Sequence, residues 1–346
     1  MSEFQNGAMV DNRPESQKAK DFFFKEIVSS AAAVNWIEKT EDKWRKFPDQ
    51  DQNGSGSCVM QTIRKVAGVL LFLKEKTYVN FSGAFYQLRS NKPAAGMIGV
   101  EAFDIWKENG LPLEQIVPSE KMTDVQMDAI QIEQYEKDIA KVFCIGGHIG
   151  IDNGDFETVA SVIQTTGKAV MTWFYFTAEE WTQLIPTIKA PGLALNEALR
   201  HSVAAVDYFL VNDKKYLLIE DSAHFGGFTR HLISEEFFKE RNWFNRYPMC
   251  FKFENEPVEE KPKHTFKNIM KMGERNDDIK ALQDCLKYEG LFPVNTESTG
   301  YYGAITVKAV LEFQIKYNVA LPDELNQLAG RQAGLKTLAK LNELYS

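Results

Sequence analysis

An α+β fold followed by a small all-α domain is what this 346-residue sequence predicts. Three observations carry that expectation. Apolar residues recur at helical spacing through residues 58 to 75, strand-like runs begin only after about residue 140, and a charged, proline-bearing segment then sets off a C-terminal stretch with its own pattern. Helices first and strands later is the order of a domain whose helices and antiparallel sheet are segregated. The length exceeds one typical domain, and 44% apolar with 12% aromatic content suffices for a large core.

Residues 1–20 are polar and read as a flexible N-terminal arm. A main domain is expected over 21–253. Phe22 to Lys39 is helix-prone. Beyond the turn at Gln52–Ser57, the residues Val59, Ile63, Val66, Val69, Leu70 and Leu73 form one apolar helical face. Residues 82–90 and 98–109 read as two more helices, the second ended by Asn109-Gly110. Strands are expected at Val142–Ile145, Ala169–Phe176, Ser202–Phe209, Tyr216–Glu220 and Met249–Phe253, with a hairpin turn at Asn212-Asp213. Residues 254–264 lack periodicity and contain two prolines, so they read as a linker to a last domain over 265–346.

Composition excludes several classes of function. A net charge of −8 argues against a nucleic-acid surface and a polybasic membrane patch. No apolar run reaches the roughly 18 residues of a membrane span, so no membrane insertion is expected. Met1 to Lys20 lacks the apolar core of a signal peptide, so the chain is expected to be cytoplasmic at synthesis. Cys58, Cys144, Cys250 and Cys285 are far apart with no CxxC spacing. That suits free thiols in a reducing compartment, with no disulfide framework and no metal site.

The chemistry concentrates in Gln52-Asn-Gly-Ser-Gly-Ser-Cys58, then His201-Ser-Val-Ala-Ala-Val-Asp-Tyr, then Ile219-Glu-Asp221-Ser. These segments supply a thiol nucleophile, a base, an orienting acceptor and an amide six residues before the nucleophile. A cysteine at the start of a helix is chemically apt, because the backbone N–H groups and dipole there favour the thiolate.

Together these segments resemble the papain-like cysteine peptidases over roughly residues 34 to 250. The resemblance implies a two-lobed fold, with a helical lobe and an antiparallel-sheet lobe. Cys58 would be its nucleophile, His201 its base, Gln52 its oxyanion-hole amide and Asp221 its orienting residue, with no cofactor. Gly96, in Gly96-Met-Ile-Gly99, would contact substrate backbone at the cleft edge. The sequence departs from the family at Asp221 (usually Asn), at Val59 (usually aromatic), at Ala223 (usually the Trp that shields the orienting residue) and at Ser55 (a disulfide cysteine in secreted relatives). About 51 residues precede Gln52, fewer than a usual inhibitory prosegment plus mature N-terminus, so zymogen cleavage is not expected. His148, His224, His231 and His264 read as structural, as do Cys144, Cys250 and Cys285. Asp277-Asp278 and Glu259-Glu260 read as solvated charges.

In the C-terminal stretch a Gly-x-x-Thr-x-x-x-[Val/Leu] element occurs twice, at Gly303 and at Gly334, beside Leu282-Gln283, Gly300-Tyr-Tyr-Gly303 and Phe313-Gln314. This resembles the three-helix peptidoglycan-binding domains of cell-wall hydrolases. Tyr301 and Tyr302 would then be candidates for stacking on sugar. Together the two resemblances imply a cysteine-type endopeptidase directed to peptidoglycan peptides, in the architecture of a bacteriophage endolysin acting at the bacterial cell wall after release. Two alternatives are a catalytically weak scaffold in a virion or structural assembly, and a cytosolic protease acting on proteins. Oligomeric state is left open.

Overall fold

A computed structural model describes residues 7–27, 30–38, 48–76, 78–89, 96–251, 261–292 and 298–346. Its centre is a six-stranded antiparallel sheet. The strands are β1 (His148–Ile151), β2 (Val170–Phe176), β3 (Leu199–Val211), β4 (Lys214–Glu220), β5 (Arg230–Ser234) and β6 (Asn242–Pro248), in the order β1-β6-β2-β3-β4-β5. Period-two alternation serves both faces. Ala204 and Val206 of β3 join the core around the helix Cys58–Glu75, while Val203 and Ala205 join a second core with the helices Phe156–Thr166 and Glu235–Arg241.

The helix Cys58–Glu75 is buried on nearly every side, including Arg64 and Lys65. Buried cations need partners, and both have them. Arg64 donates to the Phe81 carbonyl and Glu120, and Lys65 pairs with the buried Glu220 of β4. This helix is therefore tied to the sheet by charge as well as by apolar contact. The helix expected over 98–109 forms as Gly99–Asn109, and the segment expected as a helix over 82–90 forms a 3-10 helix, Gly83–Arg89. At the β3–β4 turn both Asn212 and Asp213 are left-handed, with φ of 50° and 61°, as a two-residue hairpin requires.

Four expectations are corrected. From Phe22 to Lys39 only Phe24–Ile27 is helical among the described residues. Val142–Ile145 is not a strand: Lys141–Phe143 turns as a 3-10 helix continuing the helix Gln134–Ala140, and only Ile145 forms a lone bridge, to Phe251. The expected strand at Met249–Phe253 lies earlier, as β6, and residues 252–253 fall outside the described residues with most of the expected linker (254–260). Residues 7–20 are not a free arm. Ala8 forms a parallel bridge with Met97, and Arg13 is clamped between Asp11 and Asp21, which in turn receives Arg246 of β6.

Among the described residues the C-terminal domain has four helices where three were expected: Asp277–Tyr288, Ala304–Lys316, Pro322–Leu328 and Leu335–Tyr345. The repeated Gly-x-x-Thr element gains a physical meaning here. Gln283 donates its amide to Thr306 at 2.8 Å, and Gln314 donates to Thr337 at 3.0 Å, so two equivalent clamps tie Asp277–Tyr288 to the start of Ala304–Lys316, and Ala304–Lys316 to the start of Leu335–Tyr345. The domain packs on the helical lobe through Ala304–Lys316 against the helix Gln134–Ala140, and the Asn80 N–H donates to Asn326 at 3.1 Å.

Candidate active site

Cys58 is the first residue of its helix, presented by a tight turn. Asn53 and Gly54 are both left-handed, the Ser55 hydroxyl donates to the Gln52 carbonyl at 2.6 Å, and the Gly56 N–H donates to Asp124 at 3.0 Å. Gln52 is fixed at both ends of its amide, accepting from Ser222 at 2.9 Å and donating to the Ser55 carbonyl at 2.7 Å. An amide has two N–H bonds, so one remains for an oxygen arriving beside Cys58.

His201 and Asp221 are brought together by strand register. Ala204 pairs with Glu220, so Asp221 stands opposite Val203, and His201 is two residues farther along the same face of β3. His201 Nε2 donates to Asp221 Oδ1 at 2.7 Å, and the Cys58 side chain adds to the basicity of the same ring. Next to it, Ser202 donates to Thr62, whose hydroxyl bonds the Cys58 carbonyl, which joins β3 to the first turn of the helix.

All three groups are buried. Burial alone would lower the basicity of His201, but the charge and hydrogen bond of Asp221, with Cys58 adding to them, push its pKa up to about 10. Burial would raise the Asp221 carboxyl, yet His201 and His231 hold it well below the usual carboxylate range. The imidazole is thus kept as an imidazolium opposite a sulfur at a helix N-terminus.

Two neighbours were not legible in the sequence as part of this site. Trp181 donates Nε1–H to Asp221 Oδ2 at 2.7 Å and stacks on Phe176. It provides, from the short helix Ala178–Trp181, the cover that Ala223 lacks. His231, expected to be merely structural, lies on β5 opposite Ile219 and reaches the same Asp221 oxygen at 3.1 Å. Their chain positions obey no spacing rule relative to Asp221, although the inward alternation of His231 and Ile233 is a signal of burial.

The N-terminal segment covers Cys58. The Met97 N–H donates to the Gly7 carbonyl at 3.0 Å, and the Met9 N–H donates to the Met97 carbonyl at 3.1 Å. A Cβ added to Gly7 would come within 2.6 Å of Cys58 Sγ and 2.2 Å of the Gly56 carbonyl. Gly96 has a φ of +126°, and a Cβ there would strike the Gly7 backbone. Gly96 therefore leaves room for a chain at the cleft edge, while the hydrogen bonds to that chain come from Met97. An N-terminus without a hold on the cleft was the expectation; its residues 7–9 instead close it.

Among solved structures the chain is similar to xylellain, a cysteine protease from Xylella fastidiosa, with a TM-score of 0.57 and 12% identity, over 73% of this chain and 99% of that one. It is also similar to the digestive procathepsin L2 proteinase of the Tenebrio molitor larval midgut, with a TM-score of 0.50 and 15% identity, over 71% and 78%. The fold is that of the papain-like cysteine proteases. Residues 275–323 match the family described as "Putative peptidoglycan binding domain". No curated protein sequence matches the chain.

Within this papain-like frame the other expected residues fall as follows. His148 is held between Asp104 and Arg246, His224 bonds the Gln50 carbonyl, and His264 pairs with Asp278, which is therefore not simply solvated. Cys285 is buried and Cys144 half-buried, but Cys250 is exposed, so it does not pack as expected. Glu259-Glu260 lies outside the described residues.

The two tyrosines of the peptidoglycan-binding match separate. Tyr302 is fully buried with its hydroxyl on the Gly330 carbonyl at 2.8 Å, so it offers no ring face to a ligand. Tyr301 is 43% exposed, with Arg275 over its ring. Tyr302→Ala is expected to destabilise the domain by about 3–5 kcal/mol, the usual cost of deleting a buried aromatic ring. Tyr301→Ala should leave its melting unchanged. Thermal melts of both variants check this, and equal losses would refute the separation.

Proposed function

We propose that this chain is a cysteine-type endopeptidase that cuts peptide stems or cross-bridges of bacterial peptidoglycan. The observation that carries the reading is His201, bonded to Asp221 through Nε2 and interacting with Cys58, the first residue of a helix. The peptidoglycan-binding match at residues 275–323 supports the choice of substrate.

The Cys58 thiolate attacks the peptide carbonyl carbon, forming a C–S bond and an oxyanion. The free Gln52 N–H and the Cys58 backbone N–H receive that oxyanion. His201 then donates its proton to the departing amine as the C–N bond breaks, leaving a thioester. Water, its proton taken by His201, releases the carboxylate product and restores the pair. Asp221 holds the ring in place and remains ionised throughout. In this reading the chain is made in the cytoplasm and acts at the wall after release, as endolysins do.

Digestion of purified walls by wild type and Cys58→Ala tests the proposal, with new amino groups and fragment masses as the readout. Release of peptide fragments by wild type and none above the enzyme-free rate by Cys58→Ala is the expected result. Equal release by both proteins would overturn it. Because Cys250 is exposed, any thiol labelling must be read at Cys58 itself by peptide mass.

A further inference from the structure

His231 meets the orienting carboxylate in a way that fixes its protonation. Its Nδ1 lies 2.8 Å from the Gln183 carbonyl, which can only accept, so that nitrogen carries a proton. Its Nε2 lies 3.1 Å from Asp221 Oδ2. A bare nitrogen there would set lone pair against lone pair, so Nε2 carries a proton too. Turning the ring over would put carbon atoms at both acceptors and leave each without this donor. Around it are the Asp221 carboxylate from the end of β4, the Gln183 carbonyl, and the rings of Trp181 and Phe228. Across the carboxylate stands His201.

We propose that His231 is a positioning residue, a buried imidazolium that offsets the charge of Asp221 so that the carboxylate orients His201 without holding it by a full negative charge. This rests on the peptidase reading of Cys58 and His201. Asp221 receives four donors, with His201 and the Ala223 N–H on Oδ1 and Trp181 and His231 on Oδ2. Its geometry is therefore set from every side, while its charge is shared between two rings. The balance matters because the same His201 must give up its proton to the leaving amine. An imidazolium facing an unbalanced buried carboxylate gives up that proton less readily.

The test begins with nitrogen NMR of the full chain carrying labelled histidine, assigned by single His→Gln variants. His231 should show both ring nitrogens protonated, as its two acceptors require; a neutral tautomer would overturn the proposal. The second arm follows the His201 resonances and the alkaline limb of wall digestion. His231→Gln keeps a donor to Asp221 but removes the charge, so both readouts should move up by about one pH unit. Asp221→Asn leaves the cation unbalanced and should move them down, and the double variant Asp221→Asn/His231→Gln should fall between. A merely structural His231 would leave the His201 midpoint of His231→Gln where it is in wild type, and that result would sink the idea. Should His231→Gln fail to fold, the wild-type spectrum still decides. The NMR arm needs no substrate, so loss of wall digestion in wild type would count against the peptidase reading and not against the charge balance.

Discussion

Asp221→Ala is expected to lose about 3–5 kcal/mol of folding stability and to cut wall digestion roughly a thousandfold or more. The size follows from what the carboxylate holds. Two histidines, a tryptophan N–H and a backbone N–H all donate to it inside a buried site. Removing one partner of a buried pair strands the others, which costs more than the pair itself contributes. The loss should also depend on pH with a defined sign. Asp221 is depressed, so its contribution is present above the ordinary carboxylate pKa and fades only in strong acid. His201 is raised, so its contribution is full below about pH 6.5 and fades as pH rises through about 10. Denaturant melts of wild type and Asp221→Ala should therefore differ most between roughly pH 4 and 6.5, and the gap should narrow towards about pH 10. A difference that grows towards pH 10 would contradict this account of the site.

Gly7→Leu should do the opposite and expose the site. A side chain at residue 7 has no room, since its first carbon would already collide with Gly56 and the Cys58 sulfur. The segment must then leave its two backbone hydrogen bonds with Met97. At about 1 kcal/mol each, their loss shifts the balance between closed and open by roughly thirtyfold. Iodoacetamide should alkylate Cys58 between about 10 and 100 times faster in the variant, and wall digestion should rise in step. Exposed Cys250 serves as the internal control in the same sample. The rest of the segment should stay docked, because Arg13, Asp21 and Arg246 remain paired. An unchanged Cys58 rate would mean that residues 7–9 do not limit access.

What the sequence discloses here is what repeats or punctuates. The helix from Cys58 is legible because apolar residues recur along it and a Gly/Ser turn precedes it; β2 is legible from its apolar run, and β3 and β4 because their apolar runs flank a left-handed Asn212-Asp213 turn. β6 hides because its inward positions are polar. Asn242 and Asn245 bond each other, and Arg246 answers an aspartate more than two hundred residues away. The N-terminal segment hides for a related reason. Its polarity reads as disorder, yet its charges are paired, and its small residues Gly7 and Ala8 are the ones that fit over the cleft. In the site, Gln52, Cys58, His201 and Asp221 could be picked out by chain order and residue type. Trp181 and His231 could not, because only the strand register and the packing of the short helix Ala178–Trp181 bring them to the same carboxylate.

The seat of the C-terminal domain on the helix Gln134–Ala140 bears on how the molecule would meet a large insoluble substrate. A module on a slack cord anchors an enzyme within a sphere and lets the cleft point anywhere. A module seated on the lobe that carries Cys58 transmits its own tilt to the cleft. Once such a module grips a polymer, the enzyme has a heading as well as an address, and only bonds lying along that heading come within its bite.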